Sequence, residues 1–465
     1  MHIPRVLISG THGGAGKTTV CLGLARALAD DKLTVHPFKK GPDYIDTAWL
    51  AKAARRAASN LDLFFLEPCA LRAHFLSRSH NADVAVIEGN RGFYDGRDLA
   101  GSSSTEAVAR WLDAPVVLVV DITKMTRTVA ALVHGFTAFP GGKRIAGVIL
   151  NRSGGERHAA LARRAVEELA GVRVFGVLPR VDMPFIHERR MGLVTVDMHE
   201  AAEESLARTA AFFREHVDVA SILALARSAP ELEGGSAEQE PALNTGVRIG
   251  VVRDAAFWQY YDENLEALEK AGAELVFLSL LDTAAWPCID GLYIGGGDII
   301  PYVEALAGNV TRKRYIRNLV EEGMPVYAEQ MGCLYLGESF VSGGVHYPMA
   351  GIFPLNAQAT RKPGQLGYVD ATVLTDSLFY PKGTCVRGHE YYYAKVCLDT
   401  AVLPVFRHEL RSKTAVDAHT DDESRGDGML RNAAFGSCMQ IFAPAVPQWA
   451  PSFVRLAAAW RGATR

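Results

Sequence analysis

Gly10-Thr11-His12-Gly13-Gly14-Ala15-Gly16-Lys17-Thr18-Thr19 decides how the first half of the chain folds. The stretch closes the apolar run RVLISG (5–10) and opens the helical run TTVCLGLARALADD (18–31). A strand, a glycine-rich turn ending in Lys-Thr, and a helix are the context of a phosphate-binding loop. Its glycines let successive backbone N–H groups turn inward onto phosphate oxygens, and the helix N terminus adds partial positive charge. Gly10, Thr11, Gly13, Gly14, Ala15, Gly16, Lys17, Thr18 and Thr19 are therefore the expected nucleotide-binding residues. Lys17 is expected to reach the β- and γ-phosphates of ATP, and the Thr18 hydroxyl to ligate Mg²⁺. An ordinary glycine-rich turn is the bland alternative, and it leaves the agreement of strand, Lys-Thr and helix unexplained.

Outward from this loop, short β-branched runs recur at TVHPFK (34–39), ADVAVIEG (82–89), PVVLVVD (115–121), RIAGVILN (144–151) and RVFGVLP (173–179). They read as strands covered on both faces, and helical runs such as ERHAALARRAVEELA (156–170) lie between them. The pattern predicts an α/β doubly wound parallel sheet. In such a sheet the loops at the carboxyl ends of the strands line the ligand crevice. Lys39, Lys40, Asp43 and Asp46 follow one strand, Glu88 ends another, and Asp95 lies in the loop beyond it. A carboxylate at the end of an apolar strand is costly without a partner, and Mg²⁺ suits Glu88 with Asp43 or Asp46. Lys17, Lys39, Asp43, Asp46, Glu88 and Asp95 are thus the candidate catalytic residues, and Thr18, Asp43, Asp46 and Glu88 the candidate metal ligands. Helix N-caps for the aspartates and solvated positions for the lysines are the alternatives. Asn151-Arg152 ends a further strand at the same edge, placed to bind the base or to make a turn.

The chain of 465 residues has 49% hydrophobic and 22% charged residues and a formal charge of 49 − 52 = −3. These values exclude disorder as the main state and argue against nucleic acid as the partner. No apolar stretch approaches the ~18 residues a transmembrane helix needs, so no membrane partner is expected. The start turns into the glycine-rich loop without an apolar leader, so a cytoplasmic location is expected. Seven cysteines without a CxxC pair fit reduced thiols and no structural zinc.

The segment SAPELEGGSAEQEPALNTG (228–246) is Gly-, Pro-, Ser- and Glu-rich and reads as an exposed linker. It predicts domains at 1–228 and 247–465, joined by a linker at 229–246. After it come VRIGVVRD (247–254), ELVFLSL (274–280), GLYIGGG (291–297) and PVYAEQ (325–330), with YDENLEALEKAG (261–272) as a helix, so the second half is also α/β. The polar run 412–428 reads as a surface loop.

The longer GT-x₄-GKT spacing resembles the dethiobiotin synthetase and partition-ATPase branch of P-loop proteins. His12 stands where partition ATPases carry a signature lysine, which disfavours that subgroup. With FKKGPDYIDTAW, SNLDLFFL (59–66), VIEGNRGFYDG, ILNR, RRMGLVT (189–195), DGLYIGGGD, PVYAE and GHEYYY (388–393), the chain resembles the cobyrinic acid a,c-diamide synthase family along nearly its whole length. The resemblance implies a dethiobiotin-synthetase-like P-loop domain and a C-terminal class I glutaminase-like α/β domain. The first would use Mg-ATP to phosphorylate acetate carboxylates of a modified tetrapyrrole, and ammonia would then displace phosphate. The second would make that ammonia from glutamine through a cysteine thioester.

Two positions depart from that pattern. The family nucleophile sits in Y-A-E-C-G-G, and here Tyr327-Ala328-Glu329 is followed by Gln330. The family base sits in S-Y-x-H-x-H, and here the position is Gln440. A carboxamide supplies no activatable nucleophile, so the second domain reads as a degenerate glutaminase. Its remaining uses would be to close the tetrapyrrole site, to form a homodimer interface, or to dock a separate glutaminase. Free ammonia is the simplest nitrogen source. Cys333, three residues on, reads as a small buried thiol. Amidation of sirohaem or sirohydrochlorin is the alternative substrate reading, and a non-ligating tetrapyrrole carrier or scaffold the alternative class.

Overall fold

A computed structural model describes residues 1–181, 188–189, 192–193, 195–196, 199, 201–234, 245–362, 365–398, 403–409 and 425–464. The chain forms two compact units, Met1–Glu238 and Gln239–Arg465. In the RRMGLVT segment (189–195), residues 190, 191 and 194 lie outside the described residues, as does the linker from 235 to 244.

In the first unit the strands are β1 (Arg5–Gly10), β2 (Val35–Lys40), β3 (Ser59–Leu61), β4 (Val84–Glu88), β5 (Val116–Asp121), β6 (Ile145–Ser153) and β7 (Val174–Pro179). They form one sheet in the order β3-β2-β4-β1-β5-β6-β7, with every pairing parallel. The apolar runs are continuous because both faces are covered: β1, β2 and β4 are buried along their whole length. Pro37 is tolerated in β2 because β3 pairs only from Phe38 onward, which leaves one side of the strand open there. Helix α1 (Lys17–Asp30) and helix α2 (Ile45–Ala54) follow β1 and β2 directly. The strand order reverses direction at β1, and this switch point puts the ends of β2, β4 and β1 side by side. Strand β3 had no separate expectation in the sequence.

Residues 229–232 pack onto the first unit: Ala229 and Leu232 are buried, Met1 N donates to Leu232 O at 2.8 Å, and Arg5 Nη2 donates to Pro230 O at 2.8 Å.

The second unit has a six-stranded sheet in the order 273–278, 247–252, 291–294, 326–329, 434–437, 429–431. All its pairings are parallel except the last, which is antiparallel. A second, antiparallel sheet contains Gln365–Val373, Cys385–Tyr392, Phe406–Glu409, Arg425–Asp427 and Gln440–Ile441. The run 412–428 is therefore not wholly a surface loop. Asp427 is buried, because it accepts from Ser437 Oγ at 2.5 Å and from Cys438 N. Residues 410–424 lie outside the described set.

Candidate active site

The turn after β1 needs its glycines. Gly14 and Gly16 have φ of 79° and 100°, a region that glycine enters without steric cost. A Cβ on Gly16 would lie 2.2 Å from Asn151 Nδ2. Asn151 Nδ2 in turn donates to Ala15 O at 2.9 Å. Asn151 thus ties the end of β6 to the phosphate loop, a role outside both sequence readings of this residue. Arg152 turns away and pairs with Asp121 at 2.5 Å. Lys17 folds back over the loop, its Nζ donating to His12 O at 3.1 Å. Burial holds its pKa below the usual lysine value, against an opposing pull from Glu88.

Beside the loop lies a compact charged cluster. Lys39 and Glu88 stand opposite each other in the β2–β4 ladder, and both are buried. Lys39 Nζ donates to Glu88 Oε1 at 2.6 Å and to Asp46 Oδ2 at 2.5 Å. Thr18 Oγ1 donates to the same Glu88 oxygen at 2.7 Å and lies 3.5 Å from Asp46 Oδ2. Burial pushes the Lys39 pKa down, but Asp46, Glu88 and Asp43 outweigh it and hold it well above the ordinary value. Burial pushes the Glu88 carboxyl up, with Lys39 opposing. Asp43 accepts from Asp46 N, in the first turn of α2, at 2.9 Å and so orients Asp46. Burial first, then the neighbouring Asp46, push the Asp43 carboxyl up to about 7. Solvated positions do not hold for Lys39 or Lys40, which are both buried.

Asp95 does not join the cluster. It is exposed and accepts from Gly92 N within its own loop at 2.8 Å. That loop docks on β1 through Phe93 N to Gly10 O.

The donor set can be tested against Mg²⁺. Glu88 Oε2 is buried with no hydrogen-bond partner. With the Thr18 hydroxyl and Asp46 beside it, the site offers the hard oxygens that Mg²⁺ takes. The residues fit the ion.

In the second unit, strand Val326–Glu329 runs into Gln330 and then the short helix Met331–Tyr335. Gln330 has φ 48° and ψ −119°, a left-handed conformation that costs a non-glycine residue about 1–3 kcal/mol. The elbow is held by Gln330 N to Ser437 O and by Gly332 N to Gly295 O. A Cβ on Gly332 would lie 2.4 Å from Ile294 O, so the approach needs glycine. This strand–elbow–helix turn has the shape that presents a nucleophile, yet it carries a buried carboxamide. Gln330 Nε2 donates to His389 O at 3.3 Å. Gln440 pairs with His389 in the ladder and donates from Nε2 to Gln259 O at 3.0 Å.

Burial pushes the adjacent Glu329 carboxyl up to about 8, although Ile441 N and Tyr293 Oη both donate to it. Cys333 is buried, and burial, then a hydrogen bond with Cys438, raise its thiol well above the ordinary value. A thiol so protonated is no nucleophile. Burial also lowers the His389 pKa to about 3, which keeps the ring neutral. Gln259 was not singled out in the sequence, although the stretch 247–281 that contains FWQYYDEN shares the family resemblance. Only the pairing of Phe257–Gln259 with Gly296–Gly297 brings it here.

Two family models account for this architecture. Residues 6–191 match the CobQ/CobB/MinD/ParA nucleotide binding domain. Residues 248–441 match the CobB/CobQ-like glutamine amidotransferase domain. The class is therefore a nucleotide-binding P-loop unit followed by a glutamine amidotransferase-like unit. Among curated relatives, a cobyrinate a,c-diamide synthase of Magnetococcus marinus is 37% identical over 99% of this chain and 97% of its own. One from Archaeoglobus fulgidus is 38% identical over 95% and 94%. A third, from Syntrophotalea carbinolica, is 36% identical over 98% of each. The chain belongs to the cobyrinate a,c-diamide synthase family, a family of amide-forming ligases. Among the described residues no helix is long and apolar enough to cross a membrane.

Proposed function

We propose that this chain amidates acetate carboxylates of cobyrinic acid with ATP, through an acyl phosphate, and takes ammonia rather than glutamine as its nitrogen donor. The observation that carries the ligase reading is the convergence of Thr18, Lys39, Asp46 and Glu88 beside the phosphate loop. A carboxylate is a poor acyl donor, and phosphorylation turns its oxygen into a leaving group. The substrate carboxylate oxygen attacks the γ-phosphorus, and the bond to the ADP oxygen breaks. Ammonia then attacks the acyl carbon, phosphate departs, and the nitrogen loses a proton.

In this reading the amides of residues 13–16 and Lys17 receive the phosphates and neutralise the transferring charge. Thr18, Asp46 and Glu88 would hold Mg²⁺, which supplies charge neutralisation to the phosphates when bound. Lys39 keeps the two carboxylates ionised and in place. Asp43 is a positioning residue that fixes Asp46. Asn151 holds the loop's shape through Ala15, and Asp95 and Arg152 stay outside the chemistry.

The choice of donor rests on the elbow. Gln330 and Gln440 occupy the family's nucleophile and base positions, and Cys333 is a buried thiol. Seven free cysteines accord with a reducing cytoplasmic setting.

The test offers cobyrinic acid and sirohaem in parallel with Mg-ATP, and with either isotopically labelled ammonium or glutamine. Product mass is the readout. Amide formed from ammonium on cobyrinic acid, and none from glutamine, is the expected result. Efficient use of glutamine would remove the donor assignment. Preference for sirohaem would replace the substrate. ATP binding without amide on either macrocycle would leave a carrier.

A further inference from the structure

Lys39 is held by two carboxylates, whereas its neighbour Lys40 is held by none. Lys40 is the last residue of β2. The alternation of a strand turns it to the face opposite Lys39, the face on which the Phe38 ring meets Phe75 of the helix Pro68–Ser79. The residue is only 5% exposed. Among the described residues its ammonium makes no hydrogen bond and no ion pair, yet it is not sealed from solvent. A nearly buried cation that opens to solvent and meets no acceptor costs the fold stability and gives it nothing in return.

The charges around Lys40 do not supply the missing partner. Burial lowers its pKa, Asp62 just past β3 opposes the fall, and Arg91 and Lys39 add to it. Asp62 is itself 1% exposed and already accepts from Phe64 N at 2.8 Å. Arg91 lies in the loop after β4 and is exposed. Its guanidinium also makes no hydrogen bond or ion pair among the described residues. Arg91 has φ 51°, a left-handed conformation that is strained for a residue with a side chain. Two cations without counter-ions therefore stand near each other at the carboxyl edge of the sheet.

The frame that carries Lys40 also carries the candidate metal ligands. Asn60 Nδ2 donates to Gly41 O at 2.8 Å and to Asp43 O at 2.9 Å, and Gly41 N donates to Leu61 O at 3.0 Å. An anion on Lys40 is thus registered against Asp46 and Glu88. That anion is not a nucleotide phosphate on the loop. Such phosphates meet the face of Lys39 and Thr18, and β2 lies beyond β4 from β1, roughly 10 Å away at the usual strand spacing. The acceptor lies on that far side. Cobyrinic acid carries acetates and propionates around its rim, so one carboxylate at the γ-phosphorus brings others nearby. A carboxylate and an ammonium form a charge-assisted bond.

We propose that Lys40, with Arg91 beside it, binds a second, non-reacting carboxylate of the macrocycle and so fixes which acetate is presented to the γ-phosphate. The inference rests on the reading of cobyrinic acid as the acceptor and adds the residues that orient it.

The experiment compares the full chain with Lys40→Met and Arg91→Ala. Amidation of cobyrinic acid with Mg-ATP and ammonium gives kcat and both KM values. Quenching of tryptophan fluorescence gives the Kd for cobyrinic acid without ATP. The expected result for Lys40→Met is a KM and Kd for cobyrinic acid raised about tenfold or more, because a hydrogen bond between charged groups is lost. The KM for ATP stays close to its original value, kcat changes far less than KM, and the ratio of the two monoamide isomers shifts. Arg91→Ala moves KM and Kd the same way by less, because its charge is exposed. An unchanged KM and Kd for cobyrinic acid in Lys40→Met overturns the subsite. So does a fall in kcat at constant KM, which would place Lys40 in phosphoryl transfer, or a matching rise in the KM for ATP. If Lys40→Met fails to fold, Arg91→Ala and the salt dependence of Kd decide, and a Kd that responds to neither overturns the subsite. Amide formation with binding independent of Lys40 would sink the subsite and leave the ligase reading standing. Lys40-dependent binding without amide would do the reverse.

Discussion

The phosphate loop and the Gln330 elbow are the same local device built twice. Each is a parallel strand, a tight turn with a left-handed residue, and a helix. In the first unit the left-handed positions are Gly14 and Gly16, and buried charges gather beside the turn. In the second the left-handed residue is Gln330, and the groups around it are neutral carboxamides. The comparison teaches that an elbow is a property of the backbone and its supports, whereas a nucleophile is a property of one side chain. Ser437 O and the close approach at Gly332 hold the second turn whether or not a thiol stands on it.

Breaking the charged side of the comparison has the largest effect. Lys39→Met leaves Glu88 and Asp46 facing each other without their common cation, with Glu88 fully buried. Removing one partner of a buried pair costs about 3–5 kcal/mol. Urea unfolding of the full chain is expected to show that loss in the first unit, and Lys39→Met with Glu88→Gln to recover much of it. A loss confined to the double variant would contradict the charge argument.

Next comes Lys17→Ala, which removes the loop's one long cation. Losing a donor aimed at developing charge costs about 10²–10³-fold in kcat. Phosphate release with cobyrinic acid and ammonium checks it. An unchanged rate would put the nucleotide elsewhere.

The two regions also differ in how far the sequence reveals them. The phosphate loop is legible because its residues are contiguous and each has one physical job. The Lys39–Glu88 contact is half legible. Both residues end strands, but their meeting depends on β2 lying beside β4, an order no local run states. Asn151 reaches Ala15 across 136 positions, so its support of the loop was out of reach. In the second unit the losses at Gln330 and Gln440 are plain from the motif, but Gln259 is invisible. The antiparallel strands from 365 to 441 were also missed, and with them Asp427. A run rich in Asp, Ser and Gly reads as solvated, and the burial of one aspartate depends on a serine hydroxyl and an amide supplied by a later strand.

A smaller effect separates the units by pH. The folded Glu329 carboxyl titrates at about 8, whereas an unfolded glutamate titrates near ~4.3. Between those values the folded state binds the extra proton. Stability therefore falls as pH rises across this window, at up to about 1.4 kcal/mol per pH unit for this single group. Asp43, at about 7, acts with the same sign in the first unit over a narrower range. Glu329→Gln should flatten the decline of the second unit between pH 5 and 8. Thermal unfolding across that range checks it, and an undiminished slope would assign the proton to another group.

The smallest effect bears on why the elbow persists. If Gln330 is strained at φ 48°, ψ −119°, Gln330→Gly relieves it and removes a buried carbonyl that has no donor. Against this stand the lost bond to His389 O and the greater freedom of glycine in the unfolded chain, each about 0.5–1.5 kcal/mol. With strain of about 1–3 kcal/mol, gains and costs nearly cancel, and the unfolding temperature of Gln330→Gly is expected to stay close to that of the unsubstituted protein. Gln330→Ala separates the terms, since alanine keeps the strain and loses the same bond, and it should fall below Gln330→Gly. Equal stability of the two variants would mean that the turn is not strained. The phosphate loop has no such reserve to release, because its left-handed positions are already glycine.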